Sequence, residues 1–251
     1  MIALRRTGVC LLGLGLCVAS PALAQLAPLS ERAYASLNVG FQPTSINVSQ
    51  AAALPVYDEN AILAGTQEVT TGILVDVNGA FPLRPRFFVG GAMSFTRGYE
   101  PATIVGSIPH PIYTDQPRSV TFDTSDLKHA EQVLHLFAAW RFPVNERLDA
   151  GIFGGPSFFW SQQDFPETVT VTEVGPPYTS VNVNLEFGEF KDTSYGFHFG
   201  GDVTYLLTDS IGATGFLRYA LATAKYEVPG IEPVEVDLGG LQVAAGIRIL
   251  F

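Results

Sequence analysis

The sequence has only two cysteines, Cys10 and Cys17, and both lie near its beginning. The rest of the chain contains no thiol and can form no disulfide. An exported protein of this kind does not depend on the disulfide bonds that stabilise many small secreted domains. A lipidated bacterial cysteine follows a small residue, whereas Leu16 precedes Cys17, so we do not expect a lipid anchor.

Basic residues are also few. Lys and Arg total 14 against 24 Asp and Glu, which gives a formal net charge of −10. Arg5 and Arg6 precede an apolar run at 9–18 and an Ala-Leu-Ala sequence at 22–24, a pattern typical of a secretory signal peptide. Its removal takes away two positive charges and changes the net charge from −10 to −12. This acidity argues against nucleic acid or anionic lipid as an electrostatic partner.

Long apolar runs are missing after residue 24. None approaches the ~18 apolar residues that indicate a transmembrane helix. No Ser/Gly linker, charge block or change in composition marks a domain boundary. We therefore expect a signal peptide at 1–24, with an uncleaved anchor as the alternative, and one domain at 25–251.

Hydrophobic residues are instead distributed by alternation. In the segment 194–207, Tyr195, Phe197 and Phe199 alternate with small or polar residues such as His198. Successive side chains of a strand point to opposite faces, so this pattern predicts a strand with one apolar and one polar face. The same alternation recurs over residues 33–41, 69–81, 87–96, 131–142, 152–161, 211–222 and 241–251.

The connections between these segments alternate in length. Short turns at 81–86, 142–148 and 206–211 are rich in Pro, Asn and Asp. Long connections lie at 42–66, 99–127 and 163–190, with a shorter one near 228–234. Outer-membrane barrels combine short periplasmic turns with long extracellular loops. We therefore predict an all-β fold: a closed, antiparallel, up-and-down transmembrane barrel of about eight strands.

The two faces indicate which side meets lipid. One face carries nearly all the large aliphatic and aromatic residues, and aromatics cluster near strand ends, as in interfacial girdles. Burying the charged residues of the other face in a dry core would be costly. We therefore place them in the barrel lumen as a polar network. Its predicted members are Asp76, Glu131, His135, Arg141, His198, Asp202, Arg218 and Arg248.

One luminal ion pair can be predicted from the turn at 208–210. If Leu207 pairs with Ile211, Gly200 lies opposite Arg218, and Asp202 lies diagonally from Arg218 on the same face. Diagonal neighbours are ~7–8 Å apart, within reach of long side chains. We therefore expect an Asp202–Arg218 ion pair. Further possible members are Asp76, Arg141 and Arg248.

The chain resembles the eight-stranded OmpA/OmpX-type outer-membrane barrels of Gram-negative bacteria over essentially all of 25–251. The resemblance rests on the signal pattern, the alternation, the loop rhythm and the last strand. It implies that the C-terminal strand, with its terminal aromatic, is the signal for the barrel-assembly machinery. The matching residues are Val243, Ala245, Ile247, Ile249 and Phe251.

Catalytic chemistry has little support in the sequence. Some eight-stranded barrels modify lipid A with a His near a Ser, but their His-x-Ser pattern is missing. His129 and Glu131 face inward together and could form an acid–base pair, although polar packing is the better interpretation. We predict no catalytic residue, cofactor or metal. The leading hypothesis is a monomeric, non-enzymatic outer-membrane barrel that stabilises the envelope or offers its extracellular loops for adhesion, in contact with outer-membrane lipids and lipopolysaccharide. A lipid A-modifying enzyme and a narrow channel are the alternatives.

Two loop segments each allow two interpretations. Residues 107–119 are rich in Pro and include His110, Tyr113 and Arg118, so they form either a binding surface or a stiffened loop without a partner. The third long connection is acidic, and bridging of its carboxylates by divalent cations is conceivable, although solvation is the default. Its acidic residues are Asp164, Glu167, Glu173, Glu186, Glu189 and Asp192. The sequence does not identify an extracellular partner.

Overall fold

The computed structural model describes residues 31–43, 46–69, 72–227 and 233–251, and strands dominate them. The predicted signal peptide at 1–24 lies outside these residues. None of the described segments is a helix long and apolar enough to cross a membrane. The strands are Tyr34–Gln42 (β1), Ile46–Val56 (β2), Glu59–Val69 (β3), Gly72–Arg84 (β4), Phe87–Ile108 (β5), Arg118–Pro143 (β6), Leu148–Glu173 (β7), Val181–Leu206 (β8), Ile211–Tyr226 (β9) and Val234–Leu250 (β10).

Eight of the ten strands close into a ring, which confirms the predicted barrel. The order is β1, β4, β5, β6, β7, β8, β9 and β10, and every neighbouring pair is antiparallel. The ring closes between β10 and β1, from Tyr34 opposite Leu250 to Phe41 opposite Val243. Closure removes the free edges that an open sheet would expose to lipid.

The barrel is staggered. Following Cα partners from Phe41 through β4 leads to Arg97 on β5. Following them the other way, through β10, β9, β8, β7 and β6, leads to Phe87 on the same strand. The separation between the two arrival points is the stagger that tilts the strands, and eight tilted strands leave a lumen just wide enough for side chains to fill.

The outer wall of the barrel is apolar, as predicted. Leu37, Ile73, Phe197, Leu217 and Ile247 are all exposed, whereas the alternate positions point into the lumen. Large apolar groups around a whole barrel are stable only against lipid. Exposed aromatics lie at both ends of the wall. Those at the short-turn end are Phe81, Trp140, Phe142 and Phe251, and those at the opposite end are Phe41, Phe95 and Trp160.

Four strands continue beyond the barrel on the side of the long connections. Strand β5 has 22 residues, and β6, β7 and β8 have 26 each. The hairpin β2–β3 joins this sheet because β3 pairs with β5 from Ile62 opposite Ser107 to Gln67 opposite Ala102. Much of the chain length predicted as long connections is therefore strand. We call this part, built from β2, β3 and the distal ends of β5–β8, the extracellular extension.

The extension is built with the opposite polarity to the barrel. Its core residues face inward, and its outward residues include the polar Thr103, Asp123 and Asn184 together with the apolar Ile62 and Val105. The inner face forms a small core of its own. Its buried members are Ala61, Leu63, Ile104 and Ile108, packed against Val56, Val120, Phe122, Val171, Val181, Val183 and Leu185.

Candidate functional site

The charged lumen is organised around two aspartates. Nearer the short turns, Asp202 on β8 is shared by two arginines. Nη1 of Arg141 lies 2.7 Å from Oδ1 of Asp202, and Nη1 of Arg248 lies 2.7 Å from Oδ2. Arg141 also pairs with Asp149, and Arg248 stacks on the Tyr34 ring at 3.8 Å from its centroid. All these charged groups are buried, so each depends on its partners.

Glycine makes room for this cluster. A Cβ on Gly151 would lie 2.7 Å from Nη1 of Arg141 and 2.8 Å from Oδ1 of Asp202. Any larger residue at 151 would therefore push the ion pair apart. Gly200, which faces Arg218 across the ladder, has a different neighbour: its Cβ would meet the Phe153 ring at 2.8 Å.

The second aspartate, Asp76 on β4, pairs with Arg218 on β9. Nη1 of Arg218 lies 3.0 Å from Oδ2 of Asp76. Ser94 accepts a hydrogen bond from Nη2 of Arg218 at 2.6 Å and donates one to Asp76 at 2.7 Å. Nε of Arg218 donates to Gln242 at 2.7 Å. The guanidinium thus bridges strands on different sides of the lumen.

The predicted Asp202–Arg218 pair is therefore wrong, although the register behind it is correct. Leu207 does pair with Ile211, and Gly200 lies opposite Arg218. Asp202 is already occupied by two arginines, and Arg218 reaches across the lumen to Asp76. Pairing between distant strands depends on how the ring closes, which a single hairpin does not reveal.

The two predicted luminal histidines meet at a serine. Oγ of Ser157 lies 2.8 Å from Nδ1 of His135 and 2.8 Å from Nδ1 of His198, and the two rings are 4.5 Å apart. Both imidazoles are buried, and Phe153 and Phe159 lie against them. A serine hydroxyl that joins two rings in an aromatic setting holds them in place.

His129 and Glu131 lie higher in the lumen. Nε2 of His129 is 3.0 Å from Oε1 of Glu131, and Nδ1 is 2.5 Å from Oε1 of Gln163. The same glutamate oxygen accepts the backbone N–H of Gly239 at 3.3 Å. These groups lie inside the wall, and their inward neighbours on the same strands belong to an apolar layer. The layer comprises Val133, Phe159, Phe165, Ala220, Ala224, Tyr226, Val236 and Leu238.

The lumen is filled rather than open. All eight predicted network residues are buried, and they are tied to partners that the sequence did not single out, such as Ser94, Asp149 and Gln242. A cavity of ≈ 20 Å³ lies between Asp76, Asp202 and the three arginine-bearing strands. A space of this size holds about one water. The alternation pattern could have revealed Ser94 and Gln242, since both occupy inward positions.

At the far end of the extension, Arg118 forms a clamp. Its guanidinium contacts both carboxylate oxygens of Glu173, at 2.5 and 2.8 Å, and donates to the carbonyl of Pro109 at 2.5 Å. Tyr57, at the β2–β3 turn, donates to Glu173 at 2.6 Å. Hydrogen bonds from Arg118 hold the pKa of Glu173 below its ordinary value, while the bond to Glu173 raises the pKa of Tyr57. Three separate segments therefore meet at one carboxylate.

The loop at 109–117 is tied to this clamp. Nδ1 of His110 accepts the backbone N–H groups of Ile112 and Tyr113 at 3.1 and 3.2 Å. The His110 ring lies 4.9 Å from the Tyr113 ring and 6.3 Å from that of Tyr178. The loop is thus stiffened, and its use as a binding surface stays a prediction.

Two acidic residues of the third connection, Asp164 and Glu189, lie opposite each other on β7 and β8, and both contact Lys128. Glu189 pairs with Lys128 at 3.4 Å and Lys191 at 2.8 Å, and Glu173 belongs to the clamp. Within the part of the chain that the structure describes, no cluster of three or more His, Cys, Asp or Glu side chains could hold a metal ion. The pairs around Glu189 lie on the outer wall, between the apolar band and the polar outer face of the extension. We call them the charged belt.

The C-terminal strand lies on the closing seam. Four of the five residues of the predicted assembly signal are exposed on the outer wall, and Val243 is half-buried. The backbone N–H of Phe251 donates to Ala33 at 2.8 Å. The role of these residues in assembly stays a prediction.

No family model and no curated protein matches the sequence. Solved structures show the same kind of architecture. The outer membrane protein OprG from Pseudomonas aeruginosa is 7% identical, with a TM-score of 0.45 over 89% of this chain and 98% of that chain. Neisserial surface protein A is 12% identical, with a TM-score of 0.40 over 88% and 98%. The outer membrane protease OmpT from Escherichia coli is 9% identical, with a TM-score of 0.42 over 90% and 99%.

Proposed function

We propose that this protein is an integral outer-membrane barrel of a Gram-negative-type envelope that binds extracellular partners through its extension and has no enzymatic activity. The observation that carries the proposal is the contrast between a filled lumen and a structured exterior. The lumen is packed with buried side chains, whereas the extension has its own core and clamp. Binding sites are commonly placed on segments held by a rigid scaffold.

The outer wall of the barrel supports a location in the outer membrane. Its exposed apolar band faces lipid, and the charged belt lies where lipid headgroups and lipopolysaccharide begin. We expect a monomer, since the ring is closed within one chain. The barrel-assembly machinery is its expected partner during biogenesis.

The geometry gives less support to the two alternatives. A lipid A-modifying site has to reach the lipid, but His129 and Glu131 point into the lumen and are buried there. A channel needs a continuous water path, but Arg141, Arg218 and Arg248 fill the lumen together with their aspartates.

A hairpin-deleted variant tests the proposal. Gln42 and Gly72 are neighbours across the β1–β4 ladder, so a short Gly-Ser turn can replace 43–71 and leave the barrel strands intact. Intact protein and variant in nanodiscs would be compared for binding to a panel of extracellular matrix and serum proteins. We expect binding by the intact protein and its loss in the variant. Equal binding by both, stable single-channel conductance, or a changed lipid A mass in expressing cells would contradict the proposal.

A further inference from the structure

The tip of the extension carries exposed apolar groups that lipid does not account for. Tyr57, Ile112 and Tyr113 are 52%, 63% and 56% exposed. Lys128 in the charged belt and Arg118 at the tip both lie on strand β6. At about 3.3 Å per residue, the tip is roughly 30 Å from the belt along this strand. Large apolar side chains gathered on a water-exposed surface mark interaction sites. We call Tyr57, Ile112 and Tyr113 the tip patch.

The tip patch is held in one arrangement. Tyr57 is fixed by its hydrogen bond to Glu173, and Ile112 and Tyr113 are fixed by the bonds of their backbone N–H groups to His110. Groups that are already ordered lose little entropy on binding. Tyrosine also offers a large contact area together with a polar end, which is why it is enriched at binding hot spots.

The surroundings of the tip patch are acidic. The segments 56–60, 107–119 and 173–180 contain a single Lys or Arg, namely Arg118, and its guanidinium is bound to Glu173. The acidic side chains beside the patch are Asp58, Glu59 and Asp115, and Glu59 accepts the backbone N–H of Asp115 at 3.1 Å. Aromatic rings beside carboxylates suit a guanidinium or ammonium group, by cation–π contact and charge complementarity.

We propose that the tip patch binds a basic segment of an extracellular protein, with Arg or Lys side chains against Tyr57 and Tyr113 and their charges facing Asp58 and Asp115. This rests on the proposed function and names its partner chemistry. An anionic polysaccharide would be repelled by the acidic surroundings. A second copy of the chain would bring the same carboxylates together, and like charges at an interface are unfavourable.

The test uses the full chain in nanodiscs of phosphatidylcholine, so that the lipid has no net charge. The probe is a peptide of alternating Arg and Ser, and the matched peptide carries Glu in place of Arg. We expect the Arg peptide alone to bind, more weakly as salt rises. Tyr113→Ala and Asp115→Asn should each weaken binding roughly tenfold, equivalent to about 1.4 kcal/mol, whereas Tyr113→Phe should retain it.

The control is Asp123→Asn, because Asp123 is an exposed carboxylate on the side wall of the extension and the charge change is the same. Equal weakening by Asp123→Asn and Asp115→Asn would mean nonspecific attraction to an acidic protein and would overturn the inference. So would equal binding of the two peptides, or association of the nanodiscs with one another through the tip. If the tip variants keep the binding to the protein panel that the hairpin-deleted variant loses, the proposed function holds and the tip assignment fails. Protease resistance of each variant verifies that the extension is folded.

Discussion

The barrel and the extension use the same strands with opposite polarity. On β8, Phe197 and Phe199 point outward in the barrel while His198 points inward. Farther along the same strand, Val183 points inward and Asn184 outward. Because lipid surrounds the barrel and water surrounds the extension, the apolar face turns to whichever side excludes water.

The set of residue positions that point inward changes between the two regions, and strand pairing is irregular where it does so. The register shifts between Glu100 and Ala102 in the β5–β6 pair and between Pro166 and Thr168 in the β7–β8 pair. A slip of one residue moves side chains to the opposite face of a strand. On β6 and β8, the residue positions that point inward therefore differ between barrel and extension, with the charged belt near the boundary.

The largest effect should come from removing the shared carboxylate in the barrel. Asp202→Ala leaves Arg141 and Arg248 buried without it, and losing one partner of a buried pair costs about 3–5 kcal/mol. Urea unfolding in lipid vesicles, followed by the mobility difference between unboiled and boiled protein in SDS, measures this. The control Asp123→Ala removes an exposed carboxylate and should cost less than ~0.5 kcal/mol. Similar losses in both variants would contradict a buried network.

In the extension, truncating an inward side chain should lower stability, and truncating its outward neighbour should not. Leu63→Ala removes a buried side chain from the small core and should destabilise the extension by about 2–5 kcal/mol. Ile62→Ala, at an exposed position, is the matched control. Hydrogen exchange of β3 and β5 measures the effect. The barrel's urea midpoint should stay unchanged, and a parallel loss there would show that the two regions unfold as one.

A double-mutant cycle distinguishes the two possible partners of Arg218. Arg218→Leu with Asp76→Leu should show a coupling of about 1–3 kcal/mol, since the double variant leaves no unpaired charge at that site. Arg218→Leu with Asp202→Ala should be close to additive. Coupling to Asp202 instead of Asp76, in the same urea assay, would restore the pairing predicted from the hairpin.

Acid should loosen the tip of the extension. The pKa of Glu173 is lowered in the folded state by Arg118, so its stabilising contribution is present above the ordinary glutamate pKa and is lost as the pH falls through the lowered value. Limited proteolysis of the tip should therefore accelerate at acid pH. Glu173→Gln should already be cleaved faster at neutral pH and should lose most of the pH dependence. An unchanged pH dependence in that variant would assign the effect to another group.

The smallest effect on stability is expected at the terminal aromatic. Phe251 is 68% exposed on the outer wall, so its deletion should change urea unfolding little. The amount of assembled barrel in the outer-membrane fraction should nevertheless fall, with precursor cleavage unaffected. Normal assembly of the shortened chain would show that the aromatic is not a signal here.

The barrel could be predicted because its alternation is regular and its short turns fix hairpin register, as at Leu207 and Ile211. The extension was harder to recognise, although Val-Thr-Val-Thr at 169–172 and Val-Asn-Val-Asn at 181–184 alternate clearly. On β8 most of the apolar residues keep odd positions from Val183 to Phe199, although these positions point inward in the extension and outward in the barrel. The alternation in the sequence therefore does not show where the inward face changes. Pairing of Arg218 with Asp76 could not be predicted, because it depends on how a staggered ring places β4 opposite β9.

The buried arginines also constrain the order of events during membrane insertion. Arg141, Arg218 and Arg248 lie on three different strands, and each is shielded by acidic partners on other strands. An arginine that faces lipid at the bilayer midplane costs about 2–4 kcal/mol. A single strand entering alone would carry that cost without its counter-charge. This cost favours insertion that accompanies or follows the gathering of the strands, so that the charges cross the bilayer already neutralised.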